Sequence, residues 1–144
     1  MASCSDAYKP FDEGTPATVG DVSFEGTLNR TALSGISEAE AEGGTAPATL
    51  TVPDEFQLEI VDSKINTGIF GALQGIQLLS NSDAKVVEAS GESTVDGMTS
   101  KEYIKITLDD AANPNTATVI YQMGSSGEGF PTMMATYEGT LNKQ

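Results

Sequence analysis

The sequence predicts an all-β fold: a small antiparallel up-and-down barrel of about eight strands, with a short helix or a glycine-rich crossover near residues 65–80. Three observations predict it. Apolar residues alternate with polar ones over segment after segment, the period-2 signature of half-buried strands. Fifteen glycines and six prolines in 144 residues punctuate those segments with turns. The chain also carries nearly the same six residues near its two ends, Phe24-Glu-Gly-Thr-Leu-Asn29 and Tyr137-Glu-Gly-Thr-Leu-Asn142.

Residues 1–20 hold Pro10, Gly14, Pro16 and Gly20 with no sustained periodicity, and are expected to form a flexible tether. Residues 21–144 are expected to form one β domain. Val22, Phe24, Gly26 and Leu28 alternate with Ser23, Glu25, Thr27 and Asn29 as a first strand. Ser34 to Pro47 is polar, and the spacing of Glu38, Glu40 and Glu42 favours an exposed loop. Ala48–Val52 and Phe56–Val61, separated by Pro53-Asp-Glu55, read as a hairpin. Ile69, Leu73, Ile76 and Leu79 fit a helical stripe, but Gly68, Gly71 and Gly75 each cost a helix about 1 kcal/mol. A plug over one end of the core satisfies both signals. Strands then resume at Lys85–Thr94, Lys101–Leu108, Thr116–Met123 and Met133–Asn142. Asp96-Gly97, Asp109–Pro114 and Gly124–Gly129 supply the turns between them.

The duplicated segment turns strand count into topology. In an open sheet the two terminal strands are both exposed edges, which proteins blunt with prolines or inward charges. Neither copy contains either. If the copies pair with each other both edges vanish, and Gly26 and Gly139 mark tight bends of a small barrel. Glu25 and Glu138 then lie outside and the aromatics inside. Expected to face inward are Phe24, Leu28, Leu50, Phe56, Leu58, Ile60, Ile104, Ile106, Leu108, Val119, Tyr121, Met133, Tyr137 and Leu141.

Composition narrows function by exclusion. Seven basic residues against 21 acidic ones give a formal charge of -14, a field that opposes nucleic acid and anionic lipid alike. The chain has no histidine, the usual general base at neutral pH and the commonest transition-metal ligand. A single cysteine, Cys4, excludes an internal disulfide and a cysteine-based zinc site. No cofactor or metal is expected. Asp109, Asp110, Asn113 and Asn115 form an oxygen-rich loop, but without the calcium-binding pattern of an EF-hand. Asn29-Arg-Thr31 is formally a glycosylation sequon, set inside a predicted strand. Glu25 and Glu138 occupy equivalent places in the repeat, and a glycosidase needs two acids about 5–10 Å apart. Both point to the expected outer face, so no enzyme activity is expected.

Two local features resemble a known group. Met1-Ala2-Ser3-Cys4-Ser5-Asp6 looks like the end of a bacterial lipobox, and Gly129-Phe-Pro-Thr-Met-Met-Ala-Thr-Tyr-Glu-Gly-Thr-Leu141 resembles the last strand of calycin-like (lipocalin-like) β-barrel lipoproteins of Bacteroidetes type. Lipocalins proper also tend to carry a Gly-x-Trp near the first strand, whereas this chain has no tryptophan. The resemblance implies lipid attachment at Cys4 and a place at the bacterial outer membrane or cell surface, with the membrane touched only through the anchor. It implies a monomeric binding protein rather than an enzyme. Phe24, Phe56, Ile106, Tyr121 and Tyr137 would line a site for a small apolar ligand inside the barrel. The alternative reading is a structural or adhesive β-sandwich module, from which pairing of the first and last strands would distinguish a barrel.

Overall fold

The computed structural model describes residues 15–34, 56–66, 73–80, 83–95, 97–127 and 130–144. Among them the chain forms strands and no helix: β1 (Thr15–Pro16), β2 (Val22–Gly26), β3 (Asn29–Ser34), β4 (Phe56–Val61), β5 (Lys64–Ile65), β6 (Leu79–Ser80), β7 (Val86–Val95), β8 (Met98–Leu108), β9 (Thr116–Gly127) and β10 (Phe130–Lys143). All pairings are antiparallel, in the order β1-β6-β7-β8-β9-β10-β2-β4-β5, with β3 also on β10. The sheet is curled. Leu50 and the Ala48–Val52 strand expected from the sequence lie outside the described residues, as does the side chain of Met133.

β2, β4, β7, β8, β9 and β10 each bury apolar side chains on the face turned to the core. β4 alternates without exception: Phe56, Leu58 and Ile60 are buried while Gln57 and Glu59 are exposed. β8 and β9 repeat the pattern, with Ile104, Ile106, Leu108, Ala117, Val119 and Tyr121 in one continuous core with Phe24, Leu58 and Leu141. A fully buried aliphatic or aromatic side chain contributes about 1.5–3 kcal/mol relative to exposure. This single core, built from every long strand, holds the sheet in its curl.

At one end the ring of hydrogen bonds is completed by the glycine-rich crossover. Lys64 bridges Gln77, the Ile65 amide donates to the Ile76 carbonyl (3.1 Å), and the Leu78 amide donates to the Ser63 carbonyl (3.0 Å). The chain then enters β6, which pairs with β7, so the far edge of the sheet returns to its start. Within residues 65–80 the described part is a turn and a bridge, and Leu73 and Leu78, both fully buried, plug this end. Residues 67–72, including Ile69, lie outside the described residues. The Gln77 amide ties the closure together, donating to the carbonyls of Ala17 (3.3 Å), Ser63 (3.1 Å) and Leu78 (3.0 Å).

The turn between β4 and β5 is equally specific. Asp62 and Ser63 both adopt positive φ, 55° and 61°, the left-handed geometry a two-residue hairpin needs. Such a backbone is costly for residues other than glycine, and side-chain contacts hold it here. The Asp62 amide donates to Asp21 Oδ1 (2.9 Å), and Ser63 Oγ accepts from the Val19 amide (2.9 Å). Thr15 to Gly20, the last residues of the expected tether, are thereby set against the barrel, with Ala17 and Val19 buried.

Toward the other end only β7–β10 and β3 continue among the described residues, giving a half-barrel. β9 runs through Gly124-Ser-Ser-Gly127, where the sequence predicts a turn, because Met98–Lys101 pair with those residues in register. The ladder joins backbone groups, so it forms whatever the residue type.

Candidate binding site

The seam between the chain's two ends positions the interior. Leu141 stands opposite Gly26, Asn142 opposite Glu25 and Lys143 opposite Phe24; farther along, Glu138 faces Asn29 and Tyr137 faces Arg30. The two copies of the repeat thus pair about a local pseudo-two-fold axis, and the likeness extends to a seventh residue, Arg30 in one copy and Lys143 in the other. Each copy's glycine receives the other copy's leucine. A Cβ built on Gly26 would meet Leu141 Cδ2 at 2.9 Å, and one built on Gly139 would meet Leu28 Cδ2 at 2.9 Å and press on the Thr27 carbonyl. The first copy is interrupted between β2 and β3 at Thr27 and Leu28, while β10 continues as one strand opposite the break. This is the pairing that separates a barrel from an open sandwich.

The expected ligand-lining residues all lie in this enclosure. Phe24, Phe56, Ile106, Tyr121 and Tyr137 are buried, and Phe56 and Tyr121 pack with ring centroids 5.8 Å apart at 45°. Cross-strand pairing places Ile104, Tyr121, Tyr137 and Arg30 in one row across β8, β9, β10 and β3. The next row toward the half-barrel holds Gly91, Glu102, Met123 and Ala135. Glu102, only 8% exposed, accepts a hydrogen bond from the Tyr121 hydroxyl. The interior is therefore graded, with wholly apolar rows, Phe24 and Phe56 among them, at the plugged end and a tyrosine–carboxylate layer toward the half-barrel. Cys4 lies outside the described residues.

Glu102 is the site residue that sequence reading missed. Its signal was present: it shares the parity of Ile104, Ile106 and Leu108, which places a carboxylate on the core face. A buried carboxylate is costly unless hydrogen-bonded, and the tyrosine on the neighbouring strand supplies that bond.

The acidic candidates separate. Antiparallel pairing sends Glu25 and Glu138 to opposite ends of the seam: Glu138 lies four residues along β10 from Asn142, the partner of Glu25. At a strand rise of about 3.3 Å per residue that is roughly 13 Å, outside the range of a two-carboxylate glycosidase. Glu25 instead accepts from Gln57 (2.9 Å) and Glu138 from Thr31 (2.7 Å). In the 109–116 loop Asp109 Oδ1 accepts from the amides of Asn115 (2.8 Å) and Thr116 (3.1 Å). Asp110 Oδ1 accepts from the amides of Ala112 (2.8 Å) and Asn113 (2.9 Å). These amide bonds, chiefly those from Asn115 and Asn113, hold both carboxyls below the usual range. The carboxylates serve the turn, and no group of three or more potential metal ligands occurs among the described residues.

On the outer face, Glu88 pairs with Lys105 across β7 and β8 and is only 5% exposed. Burial pushes its carboxyl up, while the hydrogen bond with Tyr103 and the nearby Lys105 charge draw it part of the way back. Two shallow clefts of about 340 and 370 Å³ also lie outside the barrel, sharing Ser23, Glu59 and Gln144 at the edge of β2 and β4.

No family profile, curated protein or solved structure matches the chain.

Proposed function

We propose that this domain is a non-enzymatic binding barrel, held at the bacterial outer membrane or cell surface by a lipid on Cys4. The proposed ligand is small and largely apolar, lying against Phe24, Phe56, Ile106, Tyr121 and Tyr137. The observation that carries the reading is the graded interior: apolar rows at the plugged end, then a layer in which Tyr121 and Glu102 form a buried polar pair. Binding pockets are commonly apolar with a few placed polar groups that orient the ligand. An eight-stranded barrel is just wide enough for its own side chains or one small ligand. The acidic domain has no attraction of its own for anionic lipid, so a place at the membrane calls for an anchor, and more than one acyl chain makes it durable.

Native mass spectrometry of the purified chain, followed by solvent extraction, tests the binding reading. A co-purifying apolar molecule that Tyr121→Ala releases supports it. An interior that neither retains a molecule nor takes up an added fatty acid or sterol overturns it. Metabolic labelling with a palmitate analogue of cells expressing the complete gene tests the anchor, with Cys4→Ser expected to abolish incorporation.

A further inference from the structure

The seam pairs two nearly identical seven-residue segments, and their register makes each segment complementary to itself. A second, antiparallel β10 placed about a two-fold axis at Thr140 reproduces in kind the pairings of residues 137–143 with the first copy. Gly139 again receives a leucine (Leu141 of the second copy, where Leu28 now sits). Glu138 again faces an asparagine, Asn142 in place of Asn29, and Tyr137 again faces a basic residue, Lys143 in place of Arg30. An isologous interface needs such self-complementarity, the same patch serving both partners.

We infer that the seam edge of β10 is a docking edge for a second copy of this chain, used when the β2–β3 segment is displaced. β10, rather than the first copy, is the one that fits. It is continuous over Phe130–Lys143 and held on its other edge by β9 along almost its whole length, so it remains a paired strand when its seam partner leaves. The first copy is interrupted between Gly26 and Asn29 and presents no continuous strand edge. An unpaired strand edge is a ready template for another chain. The second chain offers this edge the same glycine–leucine, acid–amide and aromatic–base pairings that it loses. In the intact sheet the tethered β2–β3 segment outcompetes a second molecule through its high effective concentration, so the monomer is the resting state.

The test uses the full chain with Cys4→Ser to remove the native thiol. Gly26→Val brings a side chain onto Leu141 and the Thr140 carbonyl and loosens β2 without altering β10. Sedimentation is expected to show dimerisation strengthened by about tenfold or more over the parent, equivalent to about 1.4 kcal/mol. Adding Thr140→Cys should trap that dimer through a disulfide between the two introduced thiols, because position 140 lies on the two-fold axis; Thr118→Cys on β9 should not. Gly139→Val, which loosens the seam too but spoils β10 itself, should not dimerise. A folded Gly26→Val chain that stays monomeric, or one that dimerises equally with Gly139→Val added, overturns the inference. If Gly26→Val does not fold, a labelled peptide of residues 137–143 is added to the Cys4→Ser chain carrying the milder Gly26→Ala, whose Cβ still presses on Leu141 and the Thr140 carbonyl and loosens the same seam. Retention of this peptide and not of a scrambled one supports the inference, and failure to retain it overturns it.

Discussion

The two edges of β10 are held in contrasting ways. Against β9 it forms a long ladder from Met133–Ser125 to Asn142–Thr116, between strands adjacent in sequence. Against β2 and β3 the ladder is broken at Thr27 and Leu28, shifts register between Thr136 and Tyr137, and joins residues about a hundred positions or more apart. The first edge is local and redundant, since the loss of one side chain leaves the neighbouring rungs intact. The second depends on two glycines that let backbones and leucines approach closely. The barrel is therefore expected to open at the seam, and substitutions on the two edges should differ sharply in effect.

The largest loss is expected for Gly139→Val, whose side chain would press on the Thr27 carbonyl and Leu28. Overpacking of this kind costs about 3 kcal/mol where backbone must move, and more where it cannot, enough to lower the urea midpoint severely. Leu141→Ala leaves Gly26 facing a void, and should cost about 2–3 kcal/mol in the same measurement, less than Gly139→Val because no backbone is forced apart. Tyr121→Phe removes the hydroxyl donated to Glu102 and should cost about 1 kcal/mol, while far-ultraviolet dichroism stays unchanged. On the β9 edge, Thr118→Ala alters an exposed side chain and should stay within about 0.5 kcal/mol of the parent. A Thr118→Ala loss as large as that of Leu141→Ala would erase the contrast between the edges.

Acid sharpens the comparison, because the seam is steric and the 109–116 loop is ionic. Asp109 and Asp110 have carboxyls held below their ordinary 3.8 by backbone amides. Their contribution to stability is present above that ordinary value and is lost as pH falls through the lower folded-state values. Glu88 has the opposite sign: its raised carboxyl favours the fold below the ordinary 4.5, and this is lost as pH rises through the folded-state value. Melting followed from about pH 7 down to about pH 2 should show the destabilisation by Asp109→Ala shrinking toward zero, while that by Leu141→Ala persists.

How much of this was legible from the sequence follows the same division. β4 was readable to its ends because strict alternation from Phe56 to Val61 coincides with a half-buried face. The pairing of the chain's two ends was readable from the repeat, which named both partners. The break at Thr27–Leu28 was not, since both residues keep the strand alternation and their close approach to Gly139 involves a distant strand. The extension of β9 into Gly124–Gly127 was hidden for a similar reason, a glycine–serine run being strand there only because β8 pairs with it. In the candidate site the aromatic lining was legible by parity. Glu102 was passed over because a carboxylate on the core face needs Tyr121 to explain it, and no local pattern links residues on different strands.

The central claim is the register of the seam, and cross-strand nuclear Overhauser effects test it most directly. Contacts are expected to link Glu25 and Gly26 to Leu141 and Asn142, and Asn29 and Arg30 to Tyr137 and Glu138, with each glycine opposite the other copy's leucine. Contacts placing Gly26 opposite Gly139, or none between residues 24–30 and 137–143, would contradict it.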